Sequence, residues 1–360
     1  MALAPLACIA LLASHSYQEP QDNNAKLKLY DHIRHCTVKV YADFGDVRYH
    51  GSGVGFKRYG EFVMVITNSH VIEKDNGISS KISVKSYSRS GGDTMPAYDL
   101  FNVRGDKEYF DLAFLIVRDP DRKIDVADRT TNPRWKEGTV YACGHPHEEE
   151  FLVDHGKILP KETWSTQKVP WLVLHDALIE HGNSGGGLFD AEGKLAAINT
   201  WLMDGKIGMS IDLDVFTDFF DFRATTVSAT SSEWVRDTTL PSDTAIFVLA
   251  VGKWKCRSDW GSYSATGYEP DPERGLLPQL NFGCLLVRMG DTTVPCNKGK
   301  WGPGKTSTVT YDDASSCSIK QGGGDVSFRI NDKDLSDNSG ELTVFYVIVR
   351  TPKDDGSPAK

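Results

Sequence analysis

Short runs of β-branched and aromatic residues, each closed by glycine, asparagine, aspartate or proline, fill most of this chain, and helical spacing of apolar residues is rare. Residues 37–44 (TVKVYADF), 53–60, 62–68, 81–87, 111–117, 139–144, 171–178 and 194–201 are all of this kind. Side chains branched at Cβ are stiff and fit a pleated surface, so runs of this length between turn residues read as strands. Many short strands with few helices leave only closed barrels and sandwiches as ways to bury one face of every strand. The first unit is therefore expected over residues 34–222, all-β, with at most a short helix near 214–222. A Ser/Thr-rich stretch, 223–242, reads as a linker. Strand-like runs resume at 245–254, 284–290, 325–332 and 341–350, giving a second, smaller β unit over 243–350, and the tail 351–360 reads as disordered.

Charge narrows the function. The 360 residues carry 49 acidic against 40 basic side chains, a formal net charge of −9, with no local basic run. That balance argues against binding nucleic acid through phosphate contacts. After the N-terminus no apolar stretch is long enough to span a bilayer. Residues 2–13 (ALAPLACIALLA) form an apolar block followed by small polar residues. Its length suits the core of a signal peptide, so residues 1–16 are expected to be cleaved and the mature protein to be periplasmic or secreted. Of the seven cysteines, six would remain. An even number in an exported chain permits disulfides, with Cys36 and Cys143 a natural pair, while Cys256, Cys284, Cys296 and Cys317 allow three pairings. No Cys-x-x-Cys occurs, which argues against zinc.

The stretch 181–190, HGNSGGGLFD, places one serine among glycines just before an apolar strand. Glycines leave a nucleophile accessible and let main-chain N–H groups converge on one point. A serine hydroxyl also needs a base, and the base needs a carboxylate to hold its tautomer. VITNSHVI (65–72) puts His70 at the end of an apolar strand, and EYFDLAFLIV (108–117) puts Asp111 at the head of another. The pattern Gly-x-Ser-x-Gly also occurs in α/β-hydrolases, but those need alternating helices and a histidine after the serine, and this chain has neither.

GSGVGF (51–56), TNSHV (67–71), DLAFL (111–115) and GNSGGGLF (182–189) together resemble the signature stretches of the trypsin-like serine peptidases, nearest the HtrA/Deg branch. The resemblance implies a chymotrypsin-like double β-barrel over about residues 34–220, no cofactor for catalysis, and protein or peptide substrates. It implies Ser184 as nucleophile, His70 as general base and then acid, and Asp111 as orienting carboxylate. It places the oxyanion hole at residues 182–184, formed by the N–H groups of Gly182 and Ser184, with Asn183 shaping the turn. Gly187 stands where the family usually has proline. The position six before the nucleophile, Leu178, would floor the specificity pocket, with Trp201 and Met203 near its walls, favouring aliphatic or small residues. The remaining histidines read as structural. His181, beside the oxyanion loop, is the one placed to tune a pH response.

In the second unit, residues 252–291 and 328–349 resemble the PA-IL (LecA-like) galactose-binding β-sandwich, of jelly-roll-like form. That resemblance implies a glycan ligand. However, Asp271-Pro272 replaces the family's sugar-contacting His-Pro, and Arg274 stands at the neighbouring amide position. NDKDLSDNSG crowds the hard oxygen donors Asp332, Asp337 and Asn338, a set suited to Ca²⁺. An Asx-rich turn explains the same residues without metal. Two functions follow from these readings: an exported serine endopeptidase targeted by its C-terminal unit to glycans or surfaces, or a lectin-like adhesion protein on an inactive peptidase scaffold.

Overall fold

The computed structural model describes residues 23–74, 77–79, 81–104, 111–132, 134–147, 149–160, 172–203, 205–216, 219–296 and 313–350. The expected signal segment and tail lie outside these residues. The described chain is mostly β-strand, as its run pattern requires.

Six antiparallel strands close a first barrel: Thr37–Phe44, Val47–Tyr59, Phe62–Thr67, Asp111–Arg118, Thr94–Arg104 and Lys81–Ser86, in that order around it. The strands Phe62–Thr67 and Asp111–Arg118 are apolar on both faces and buried almost throughout, because one face fills the barrel and the other packs outward against the rest of the molecule. Their pairing sets Thr67 opposite Ala113, which brings the residues after Thr67 beside Asp111. A second six-stranded sheet runs through Leu152–Lys157, Thr139–Gly144, Gly187–Phe189, Leu195–Met203, Ile207–Asp212 and Leu172–His175. The two units meet where Ser52 N–H donates to Ser184 O at 2.8 Å.

A helix, Asn23–Cys36, precedes the barrel and ties the two sheets together. Arg34 Nε donates to Phe151 O at 3.0 Å, and Asp125 N–H to His35 O at 2.9 Å.

The expected linker is not a linker. Phe220–Ser228 is a strand paired along its whole length with Ser339–Arg350, and Val235–Val251 pairs with both Ala314–Ile330 and Ser339–Arg350. These strands belong to a seven-stranded C-terminal sheet in which six strands follow one path and the short strand Trp254–Lys255 pairs off it with Ser339–Arg350. Register shifts in Val235–Val251 mark where so long a strand can bend and let the sheet fold over its core. Phe101, Phe114, Phe220, Phe222 and Phe247 pack against one another, so apolar contact continues from the first barrel into the C-terminal unit.

The six described cysteines are free thiols, Cys36 and Cys143 included, and the expected disulfide between those two is absent. Cys296 and Cys317 bring their sulfurs to 3.0 Å.

Candidate active site

His70 sits in a one-turn helix, Ser69–Ile72, directly after the strand Phe62–Thr67. The turn is held to the head of the neighbouring strand three times over. Asn68 Nδ2 donates to Asp111 O at 2.7 Å, His70 N–H donates to Asp111 Oδ1 at 2.9 Å, and His70 Nδ1 pairs with Asp111 Oδ2. Asp111 is only 2% exposed, whereas the His70 side chain keeps an open edge. Because an ionised carboxylate only accepts, Nδ1 must carry the proton and Nε2 is left as the basic nitrogen. Thr200 Oγ1 reaches the same Oδ2 at 3.4 Å.

Ser184 arrives from the second sheet. Its hydroxyl donates to Thr200 O at 3.2 Å, and no hydrogen bond joins it to His70 among the described residues. Both side chains line one cleft of about 340 Å³. Hydrogen bonds between a nucleophile and its base are commonly long or unmade in an unliganded site.

The turn before Ser184 depends on glycine. Gly182 has φ of +106°, and a Cβ there would stand 2.1 Å from His145 O. Asn183 N–H is committed to Glu180 O at 3.0 Å and Asn183 O accepts from Gly186 N–H at 2.9 Å, so Asn183 closes the turn. His181 O accepts from His147 N–H at 3.0 Å. Among the described residues the N–H groups of Gly182 and Ser184 donate to no protein acceptor, which leaves two neighbouring donors uncommitted.

Two residues brace this loop that sequence reasoning did not assign to the site. Ser52 Oγ donates to Gly182 O at 2.7 Å, accepts from His145 N–H at 3.1 Å, and lies 2.9 Å from His145 Nδ1. With its one proton on Gly182 O, the hydroxyl must accept from Nδ1–H, which fixes the His145 tautomer. Burial, reinforced by the positive charge of Lys39, holds His145 well below the ordinary histidine range. Thr200 is the other, bonded to both Ser184 and Asp111. The only signal for Ser52 was its place between two glycines in GSGVGF; Thr200 carried none.

Deeper in the same sheet, His175 Nε2 lies 2.9 Å from Ser210 Oγ, which donates to Asn199 Oδ1 at 2.9 Å. Burial pushes the His175 imidazole down to about 4.

Leu178 does not close a pocket floor. It is 52% exposed, and its N–H is tied to Asp154 Oδ2 at 2.7 Å. Trp201 packs against the main core and is absent from the cleft that holds His70 and Ser184. In the C-terminal unit Asp332 and Asn338 are buried close to the Ala229 turn, Asn338 Nδ2 donating to Ala229 O at 3.0 Å. Among the described residues no group of three or more His, Cys, Asp or Glu side chains gathers as metal ligands would.

Residues 51–198 match the trypsin-like peptidase domain. That segment contains His70, Asp111 and Ser184. Serine protease HTRA3 of Rattus norvegicus is 28% identical over 174 residues, covering 47% of this chain and 36% of that protein. The same protein of Mus musculus gives the same identity and coverage. The chain thus spans about a third of the length of these relatives. The solved serine endoprotease of Yersinia pestis aligns with 25% identity and a TM-score of 0.43, covering 56% of this chain and 66% of that one.

Proposed function

We propose that this protein is a serine endopeptidase in which Ser184, His70 and Asp111 hydrolyse peptide bonds through an acyl-enzyme. The observation that carries the reading is one cleft shared by Ser184 and a histidine already locked to a buried carboxylate, beside two uncommitted N–H groups. Ser184 Oγ attacks the scissile carbonyl carbon while its proton passes to His70 Nε2. Asp111 stabilises the imidazolium, and the new oxyanion rests on the N–H groups of Gly182 and Ser184. His70 then protonates the departing amine, and water repeats the cycle against the acyl group. Hydrolysis of an unfolded protein such as casein by the wild type, lost in Ser184→Ala, is the expected result. Equal hydrolysis by both would refute it.

Export rests on the apolar block at residues 2–13, and the expected location is the periplasm or the exterior. N-terminal sequencing of the mature protein tests this, a start at Met1 being the contrary result.

A separate observation bears on the C-terminal unit. Asp332 Oδ2 and Asn338 Oδ1 are buried without a hydrogen-bond partner among the described residues, and burial pushes the Asp332 carboxyl up to about 6. Two orphaned oxygens in a turn fit a hard cation such as Ca²⁺, with Asp337 adjacent. A Ca²⁺-dependent rise in Tm that vanishes in Asp332→Asn supports the site. The same protein on a glycan array, with and without Ca²⁺, tests the surface-targeting role.

A further inference from the structure

The cleft beside Ser184 is lopsided in charge. Arg48, His50, Lys74, His147 and His181 line it with His70, and no carboxylate does so among the described residues. These basic groups are not equivalent. Arg48 is held by both carboxylate oxygens of Asp43, at 2.6 and 3.0 Å, and His147 Nε2 lies 2.9 Å from Glu180. Burial and the nearby Lys39 lower the affinity of His50 for a proton. Lys74 is different. Its ammonium rests on the Tyr49 ring and has no carboxylate partner among the described residues. It stands two positions past the helix that carries His70.

The position of this cleft along a bound peptide follows from the chemistry. His70 protonates the leaving amine, so the chain that departs must run past His70 on its exposed side. The cleft is lined by His70 and by Val71 and Lys74 just after it in the chain, so it lies on the side along which that leaving chain runs. A side chain one or two positions after the scissile bond enters it.

We propose that this cleft selects an acidic side chain, Asp or Glu, at the first or second position C-terminal to the scissile bond, with Lys74 the principal contact and Arg48 at the rim. The aromatic ring under the ammonium fixes it in place, so little freedom is lost when a carboxylate arrives. An exposed pair of this kind is worth about a five-fold preference and weakens with salt. This inference rests on the peptidase reading above.

The test is a set of internally quenched peptides, identical before the scissile bond and carrying Glu, Gln or Lys at the two following positions. Each enzyme is judged by its ratios of kcat/KM, which do not depend on its absolute rate. We expect Glu over Gln over Lys, about five-fold at each step, shrinking towards unity in 0.5 M salt, and a reversed order in Lys74→Glu. Should that variant fold poorly, Lys74→Gln and the salt response of the wild type give the same answer. Cleavage of all three at equal rates, or a preference for Glu that persists in high salt and in Lys74→Gln, overturns the proposal. Absence of any Ser184-dependent cleavage overturns the peptidase reading and this one with it, a result distinct from cleavage without charge preference.

Discussion

Removing one hydroxyl, in Ser52→Ala, tests whether the oxyanion loop is held from behind. That hydroxyl satisfies three groups, the half-buried Gly182 O at 2.7 Å and the buried His145 N–H at 3.1 Å and His145 Nδ1 at 2.9 Å. Alanine leaves all three unpaired, and at about 1 kcal/mol or more for each the fold loses roughly 3 kcal/mol. The catalytic effect has a ceiling. Complete loss of one oxyanion donor costs about 2.7–4 kcal/mol of barrier, or 10²–10³ in rate. Loosening Gly182 without removing its N–H gives less, so acylation should slow by about 10- to 100-fold. The assay is the rate at which a fluorophosphonate phosphonylates Ser184 with loss of fluoride, its phosphoryl oxygen drawing on the same N–H donors, read beside a urea unfolding curve. The reduced rate must persist at temperatures where the variant is fully folded. A variant with the wild-type phosphonylation rate and urea midpoint would show that Ser52 supports nothing, and the reasoning would fail.

Other consequences follow from the same geometry. Asp111→Asn keeps the shape of the site but offers an amide to His70 Nδ1, favouring the wrong tautomer. A fall in kcat on the order of 10⁴ is expected, by analogy with other serine triads, and wild-type turnover would contradict it. His175, depressed to about 4 from 6.5, is buried neutral. Between those values the unfolded chain binds a proton that the folded chain declines, so stability is full above pH 6.5 and is lost as pH falls towards 4, by up to about 3 kcal/mol. His145 is shifted in the same direction and adds to the loss. Urea midpoints at pH 7 and 4.5 measure this, and His175→Gln should flatten the dependence. An unchanged slope in that variant would place the acid sensitivity elsewhere.

Much of the first barrel is legible because its strands announce themselves locally. TVKVYADF at 37–44 and TVYACG at 139–144 coincide with observed strands to the residue, the first closed by Gly45-Asp46 and the second bounded by Gly138 and Pro146. Helix Asn23–Cys36 escaped notice because it buries only Ile33 and Cys36 and depends on partners from distant loops. The stretch after residue 222 reads as a linker because it is rich in Ser and Thr and poor in aliphatic periodicity. Its threonines are strand formers once Ser339–Arg350 and Ala314–Ile330 supply edges to pair with. Within the site, His70, Asp111 and Ser184 stand out as residue types with one chemistry in common. Ser52 and Thr200 are ordinary strand residues whose role exists only through contacts across barrels. Leu178 shows the limit of counting along the chain: its distance from Ser184 is fixed by sequence, but the loop turns it outward.

Peptide hydrolysis by this chain requires that the His70–Asp111 pair activate Ser184. The most direct measurement is labelling of the folded protein with a fluorophosphonate probe, with the modified peptide identified by mass spectrometry. One adduct is expected, on Ser184, abolished in Ser184→Ala and nearly so in His70→Ala. Labelling of His70→Ala at the wild-type rate, or none of the folded wild type, would contradict it.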